Sequence, residues 1–372
     1  MNFDYNEEQQ LLADSVRRFL AKDYSFEARK KIVGSKEGWS AGVWAQLAEM
    51  GLTGLPFSPD HGGFGRGAVD LMGVMEAAGD ALLVEPYLPT LIGGQLVARA
   101  GSDAQKKAVL PAIVEGKLKM AFAHTEQGAR YNLARVGASA RKAGAGWEIT
   151  GEKRVVLGAP AADRLVVSAN TGQGLSLFLV DSSAFKVKPY VTIDEQRAGD
   201  VVLKGAKAEL LGAEGGALPV IEEVVDFATA LVCAEAVGAM KFACDTTLEY
   251  LKTRKQFGVP IGTFQALQHR MVDMFIATEQ ARSMACLACS KVDAAADGST
   301  GAKDRARAVS AAKIKISDNA RLVSQESVQL HGGMGMTEEL KVSHTFRRLT
   351  MIAQQFGDAD HHLARFAALD GK

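Results

Sequence analysis

The chain has 372 residues, and its 43 Lys and Arg side chains balance its 43 Asp and Glu side chains. That length exceeds one ordinary hydrophobic core and predicts two or three packed regions. A neutral net charge gives no electrostatic basis for binding nucleic acid or an anionic membrane. With 47% hydrophobic and 23% charged residues, the composition is that of a globular protein.

Cysteine usage and the start of the chain predict a cytoplasmic protein. The four cysteines are not accompanied by a secretory leader, because the acidic opening lacks an apolar core segment. No run of about 18 apolar residues occurs, so we expect no membrane span. Cys286 and Cys289 share a helical stripe without a second Cys or His pair. We therefore interpret them as buried small residues and predict no metal site.

The first third of the chain, to about residue 118, predicts helices. An apolar stripe with a period of 3.6 residues passes through Leu11, Val16 and Leu20. Similar patterns cover 43–50, 69–78 and 104–115, and Gly and Pro clusters separate them.

The pattern changes at about residue 119. Short apolar runs separated by turn residues predict an antiparallel β unit, with strands at 154–157, 164–167 and 175–180. After Gly216 the helical period returns, and the predicted helices cover 217–252, 264–294, 303–330 and 340–370. The segment 294–301 is expected to be a loop between two of these helices. The predicted domains are therefore 1–118, helical; 119–216, β; and 217–372, a helical bundle.

Several segments together resemble the acyl-CoA dehydrogenase family. The most informative are Arg254–His269 and Gln329–Gly335, which are similar to the two C-terminal signatures of that family. The opening Phe3–Gln9, the segment Ala123–Glu126 and the turn Gly151–Lys153 add to the resemblance along the chain. It implies an α+β fold with a helical N-domain, a central antiparallel β-domain and a C-terminal four-helix bundle. It also implies FAD and the oxidation of an acyl-CoA thioester at its α and β carbons.

Within that family the chain most resembles the small subunits of pimeloyl-CoA dehydrogenases and related bacterial heteromeric enzymes. The shared segments are Phe122–Glu126, Tyr250–Arg254 and Phe356–His362. This resemblance implies a dicarboxylyl-CoA substrate such as pimeloyl-CoA and an electron-transfer flavoprotein as electron acceptor. It further implies a homo- or hetero-tetramer built on the C-terminal helices, with a possible large-subunit partner.

The resemblance assigns residues to FAD. Negative charge develops near N1 and O2 of a flavin as it is reduced, and the Thr125 hydroxyl is the implied donor there. Arg254 suits the pyrophosphate, since a guanidinium pairs well with phosphate oxygens, and Phe257 offers a flat face to adenine. The full predicted cofactor set is Phe122, His124, Thr125, Arg254, Gln256, Phe257, Gln265, Gln329 and Gly333. The alternatives are a simple helix C-cap at Gly332–Gly335 and a solvated helix-end cation at Arg254.

The catalytic base of the family is missing from both of its usual positions. The glutamate that follows the Gly-Gly-x-Gly turn aligns with Phe356, and the alternative on the first long C-terminal helix aligns with Ala228. Three hypotheses remain: a partner subunit supplies the base, a substitute carboxylate does, or the chain is a structural subunit without catalysis. The candidate substitutes are Glu85 and Asp226, although a solvent-facing loop carboxylate is the simpler interpretation of Glu85. An acyl-CoA oxidase is a further alternative.

Overall fold

The computed structural model describes residues 5–144 and 146–370, so Phe3 and Asp4 of the opening motif lie outside the described residues. Several of the N-terminal helices begin at a capping side chain. At the first, Asn6 accepts the backbone N–H of Gln9, and the Gln9 side chain accepts the N–H of Asn6. Ser102 and Gln105 repeat this reciprocal cap at the sixth helix. The helices are α1 Glu7–Asp23, α2 Phe26–Val33, α3 Ala41–Glu49, α4 Ala68–Ala81, α5 Tyr87–Ala100 and α6 Asp103–Val114.

A seven-stranded sheet follows. Its hydrogen-bonded order is β1-β4-β2-β3-β7-β5, with β6 paired to β7 and a further pairing between β4 and β5, so the sheet closes on itself. Most pairings are antiparallel, but β1 and β2 pair parallel to β4. Inward-facing apolar side chains such as Leu165, Phe178 and Val201 fill the interior. The strands are β1 Met120–Ala123, β2 Ser139–Ala143, β3 Gly146–Leu157, β4 Arg164–Thr171, β5 Gly174–Asp181, β6 Lys186–Val191 and β7 Arg197–Leu211.

The C-terminal part is helical again, apart from one small hairpin. Cys286 and Cys289 are buried in it as free thiols. Its elements are α7 Ala217–Thr253, the hairpin strands β8 Lys255–Gln256 and β9 Val259–Pro260, α8 Gln265–Ala296, α9 Ala302–His331, α10 Lys341–Gln354 and α11 Ala359–Leu369.

The chain forms two compact units, each built from separate stretches of sequence. The first comprises residues 1–29, 67–83 and 229–372, and the second comprises residues 30–66 and 84–228. Within the first unit, α4 and α7 meet backbone to backbone: a Cβ on Gly238 would lie 1.8 Å from the carbonyl oxygen of Glu76, and one on Gly79 would lie 1.9 Å from that of Glu235. Glycine is therefore required on both helices.

The predicted order of helical, β and helical regions is confirmed. Two helices, α2 and α5, were not predicted, and the helix expected over 340–370 is interrupted at Gln355–Asp358. The domain boundaries at 118 and 216 stay a prediction. Among the residues that the structure describes, no helix combines the length and the hydropathy that a membrane crossing requires.

Candidate active site

The segment that leaves β1 places three predicted site residues together. The rings of Phe122 and His124 stack, with centroids 5.1 Å apart and planes inclined by 22°. His124 is buried, and its Nδ1 lies 2.9 Å from the Ser168 hydroxyl oxygen. Thr125, in contrast, is exposed, while its carbonyl oxygen accepts the backbone N–H of Arg154 at 2.7 Å. The His124 side chain is therefore buried, and the Thr125 side chain that follows it is exposed.

A buried ion pair lies next to the segment that carries Thr125. The Lys153 ammonium, fully buried on β3, donates to Glu126 Oε1 at 2.6 Å, to Ser168 Oγ at 3.1 Å and to the His124 carbonyl at 3.2 Å. The Glu126 carboxylate also accepts the backbone N–H groups of Gly137 and Ala138. The carboxylate and two acceptor oxygens thus satisfy a cation that would otherwise be costly to bury.

Burial controls the protonation of this cluster. Desolvation, reinforced by the nearby Lys153 charge, lowers the pKa of His124 to about 4, so the imidazole is neutral at pH 7. Desolvation also lowers the pKa of Lys153 to about 8, although Glu126 opposes this shift. For Glu126, the hydrogen bonds from Lys153 and the backbone outweigh burial and lower its pKa. Because the ammonium only donates, Ser168 accepts from it and retains its own proton for His124 Nδ1.

Glu126 and Lys153 lie in segments that resemble the family, but the sequence alone does not assign them to the site. The signal that was present is the short spacing of Lys153 after Gly151, which resembles the family's turn. Its burial and its partners depend on the sheet, because Glu126 and Ser168 are 27 and 15 residues away in the sequence.

The hairpin after α7 carries a second group of predicted residues. Phe257 and Gly258 have φ values of 53° and 82°, the two positive values that a two-residue type I′ turn requires. The N–H of Ile261 donates to the Arg254 carbonyl at 2.8 Å and closes the hairpin. The Phe257 side chain at the tip is 90% exposed, and Gln256 is also exposed. The hairpin therefore presents an aromatic ring that the described chain leaves uncovered.

Arg254 and Gln265 flank this hairpin, and both are exposed. In the described part of the chain the Arg254 guanidinium makes no salt bridge, so the cation is available to an anion. Gln265 is the first residue of α8, whose N-terminus has no side-chain cap. An uncapped helix N-terminus presents N–H groups and partial positive charge, which also favour an anion.

The end of α9 meets the end of α7. The rings of Tyr250 and His331 lie 4.5 Å apart, one turn before Arg254 and two residues after Gln329. The side chain of Gln329 is exposed, and Gly332 has a φ of 61°. At Gly333 a Cβ would meet no atom within 4 Å, so nothing within the described residues requires glycine there. The contact between rings brings the two family-like segments of the C-terminal unit together.

The two positions that the sequence resemblance assigns to the family base, Ala228 and Phe356, carry no ionisable group. Ala228 is fully buried in α7. Phe356 is half-buried in the turn between α10 and α11, where its φ is 60° and its carbonyl accepts the His362 Nε2–H at 3.1 Å. The fully buried Lys313 ammonium holds the same turn, donating to the Gly357 carbonyl at 2.7 Å. Burial lowers the pKa of Lys313 to about 8.

The two substitute carboxylates are both buried. Glu85 is only 4% exposed, and one of its oxygens lies 3.3 Å from the backbone N–H of Ser40, which donates to it. The interpretation of Glu85 as a solvent-facing loop residue is therefore wrong. Asp226, one turn before Ala230 on α7, is fully buried.

Comparison with known proteins identifies the family. Acyl-CoA dehydrogenase FadE12 of Mycobacterium tuberculosis is 32% identical over 373 residues, covering 95% of this chain and 93% of its own. The chain belongs to the acyl-CoA dehydrogenase family. The family's N-terminal domain matches residues 6–117, its middle domain residues 121–211 and its C-terminal domain residues 216–368.

Two solved structures extend this result. "PigA with FAD and proline" is 27% identical with a TM-score of 0.91, covering 100% of this chain and 99% of its own. A variant of the "Tcur3481-Tcur3483 steroid ACAD" is 28% identical with a TM-score of 0.89, covering 98% of both chains. This acyl-CoA dehydrogenase is therefore a flavoprotein oxidoreductase that uses FAD and acts on CH–CH bonds.

Proposed function

We propose that this chain is one subunit of a heteromeric acyl-CoA dehydrogenase that oxidises a dicarboxylyl-CoA such as pimeloyl-CoA, and that a partner subunit supplies the catalytic base. The observation that carries this proposal is the pair of base positions, which hold Phe356 and Ala228. Neither side chain can take a proton, whereas the predicted cofactor residues Thr125, Arg254 and Gln265 carry donors and are exposed.

The residues present fit FAD. Arg254 is an exposed cation without a salt bridge in the described chain, and it is suited to a pyrophosphate. The exposed ring of Phe257 is suited to stacking against adenine. At Gly333 a Cβ would meet no atom of the described residues within 4 Å, which leaves the space that a close approach of ADP needs. Gln256, Gln265 and Gln329 add exposed amides to the predicted set.

At the flavin ring the assigned residues are those that follow β1. The Thr125 hydroxyl, which is exposed, would donate towards N1 and O2, where charge develops on reduction. His124 stays neutral because burial lowers its pKa to about 4, and its ring stacks against the ring of Phe122. When bound, FAD supplies the acceptor for the β hydride of the thioester. The α proton requires a base, and that is the group this chain lacks at Phe356 and Ala228.

Glu85 and Asp226 are the carboxylates against which a partner base must be tested. Both are buried, and a carboxylate is one of the groups that serve as a general base. Glu85 already accepts a backbone N–H from Ser40, which assigns it a structural contact. The missing glutamate at two positions therefore favours a base from outside the chain.

The substrate assignment rests on the resemblance to pimeloyl-CoA dehydrogenase small subunits. One of the two structural relatives above has the word steroid in its name, so a bulky ring thioester is the competing substrate class. The two classes differ in what the end of the acyl pocket must accept. A second carboxylate needs a cation there, and a ring needs apolar volume.

An anaerobic absorbance titration tests the proposal. The chain is purified alone and together with the product of a neighbouring reading frame, and each sample is titrated with straight-chain, dicarboxylyl and ring-containing acyl-CoAs. We expect the flavin to bleach only in the co-purified sample, most completely with the dicarboxylyl thioester. Electron-transfer flavoprotein is then added as acceptor to measure turnover.

The other outcomes identify the alternatives. Bleaching of the chain alone at a normal rate would contradict a partner base, and loss of that bleaching in Glu85→Gln or Asp226→Asn would identify the substitute. Absence of flavin in both samples would indicate a structural subunit. Rapid release of peroxide after air is admitted would indicate an acyl-CoA oxidase.

A further inference from the structure

Lys153 lies beneath the predicted flavin-ring segment, and nothing in the proposed chemistry uses it. Its ammonium is fully buried within the sheet and contacts three oxygens from two other elements. Two of these oxygens belong to the segment that follows β1, namely the carbonyl of His124 and the carboxylate of Glu126. A lysine is rarely buried to this extent unless its partners are held in place for it.

Each residue of the segment His124–Glu126 is fixed from a different direction. The His124 ring contacts Ser168 at 2.9 Å and its carbonyl contacts the lysine at 3.2 Å. The Thr125 carbonyl accepts the Arg154 N–H, directly after the lysine on β3. The Glu126 carboxylate accepts two backbone N–H groups, at 2.6 and 3.0 Å, as well as the ammonium. The Thr125 side chain is the part of the segment left exposed.

We propose that Lys153 is a positioning residue that holds this segment so that the Thr125 hydroxyl faces the flavin ring. The proposal rests on the assignment of Thr125 to the flavin in the proposed function. Without the ammonium, Glu126 would retain a partly buried negative charge with one fewer donor, and the His124 carbonyl would lose its contact. Both changes loosen the backbone on either side of Thr125, where a displacement of even one ångström weakens a hydrogen bond.

The decisive experiment is a double-mutant cycle between Lys153→Met and Thr125→Ala. FAD dissociation constants, the visible flavin spectrum and the flavin midpoint potential are measured for the protein in its FAD-retaining form, with its partner subunit if that form requires one. We expect each single variant to weaken FAD binding roughly tenfold and to shift the potential. In the Thr125→Ala background, we expect Lys153→Met to add little, because its effect passes through the missing hydroxyl.

Controls separate positioning from folding and from charge. Lys188→Met removes an exposed lysine of the same sheet, which lies 3.7 Å from Glu152, and should leave both the potential and the dissociation constant unchanged. If Lys153→Met does not fold, Glu126→Gln keeps the size of the side chain while it removes the ion pair, and the same cycle is run with it. Far-ultraviolet circular dichroism checks the fold of every variant.

The outcomes distinguish this proposal from the one on which it rests. If Thr125→Ala changes the potential while folded Lys153→Met and Glu126→Gln do not, the positioning role is overturned and the flavin assignment stands. Fully additive effects overturn it as well, since independent contributions need no shared segment. If Thr125→Ala itself changes neither binding nor potential, the assignment of Thr125 to the flavin fails, and the positioning role fails with it.

Discussion

Phe356 occupies a backbone conformation that phenylalanine rarely adopts, with a φ of 60°. The turn is held by contacts to its own carbonyl and to that of Gly357, from His362 and Lys313. These contacts act on the backbone and do not depend on the side chain at 356. The position can therefore exchange its side chain at little cost to the turn.

This allows a gain-of-function prediction. Phe356→Glu would place a carboxylate at the family's base position, and a general base contributes about 10²–10⁴-fold to a rate. We expect the FAD-loaded chain without its partner to acquire acyl-CoA-dependent flavin bleaching at least about 100-fold faster than the unchanged chain. Stopped-flow absorbance under anaerobic conditions measures it.

Gln355→Glu is the matched control, since it adds the same carboxylate one residue earlier. Equal bleaching rates in the two variants would mean that position 356 does not align with the family base. Alanine at 228 is a poorer site for this test, because it is fully buried in α7 and a glutamate there would have no room.

At the scale of elements, α4 and α7 pack at a distance that only glycine permits. A Cβ on Gly238 would lie 1.8 Å from the Glu76 carbonyl oxygen, and the atom it meets is backbone, which cannot rotate away. The neighbouring Glu235 forms a buried bidentate pair with Arg348, at 2.6 and 2.7 Å, which fixes α7 against α10. Helix α7 is therefore packed closely against α4 and held to α10 by an ion pair.

Gly238→Ala is predicted to destabilise the protein strongly. Alanine is favoured over glycine in a helix by about 1 kcal/mol, but overpacking costs about 1–3 kcal/mol and occasionally more, and a backbone atom cannot rotate away, so we expect the clash to dominate. Urea unfolding followed by circular dichroism measures the change in midpoint. Gly42→Ala in α3 is the control, because its Cβ would meet only the Ser40 hydroxyl at an ordinary 3.7 Å. An unchanged midpoint for Gly238→Ala would contradict the close packing of α4 and α7.

The same scale shows what sequence can predict. The helical period located α1, and Val16 and Leu20 of its stripe are buried, but Leu11 is 59% exposed because the buried face passes through Ala13 instead. The break at Gln355–Asp358 was missed because apolar residues continue the helical period across it. Its local signals were Gly357 and the N-cap Asp358, whose side chain accepts the His361 N–H.

For the candidate site, too, the sequence predicts some residues and misses others. Arg254 and Phe257 can be proposed from the sequence because they lie in one contiguous motif, and the hairpin that carries them is local. The burial of Lys153 could not be found, since a charged residue is usually exposed and its partners come from other strands. The burial of Glu85 likewise depends on packing that its neighbours in the sequence do not reveal. A sequence shows local signals such as a turn or a helix cap, but it does not show which distant residues become contact partners.

For the whole molecule, imidazoles whose pKa is lowered by burial make stability depend on pH; they are His124, His331, His361 and His362. Desolvation lowers the pKa of His124 to about 4 and that of His362 to about 3, against 6.5 for a free imidazole. Between pH 6.5 and about 4 the unfolded chain therefore binds protons that the folded chain does not. Each such imidazole lowers the free energy of unfolding as the pH decreases through this range, by about 1.4 kcal/mol per pH unit for each proton.

His362→Gln should flatten this dependence. The variant loses the hydrogen bond to the Phe356 carbonyl and is expected to be less stable at pH 7, yet to lose less stability between pH 7 and pH 4.5. Unfolding midpoints across that pH range measure both effects. His269→Asn, at an exposed position of α8, should retain the steep dependence. If the stability of His362→Gln falls with decreasing pH as steeply as that of the unchanged protein, His362 is not a source of the pH dependence.

The interleaving of the two compact units has a consequence for how the chain is made. Residues 30–66 and 84–228 are complete once Ala228 has left the ribosome, so that unit can fold while synthesis continues. The other unit, residues 1–29, 67–83 and 229–372, cannot fold until the C-terminal part of the chain has been made. Its helix α4 receives its N-terminal cap from Asp293, whose carboxylate accepts the N–H groups of Ala68 and Val69 at 2.6 and 2.9 Å. The nascent chain must therefore carry an unfinished helical surface through most of translation, and that is the interval in which a partner or a chaperone has access to it.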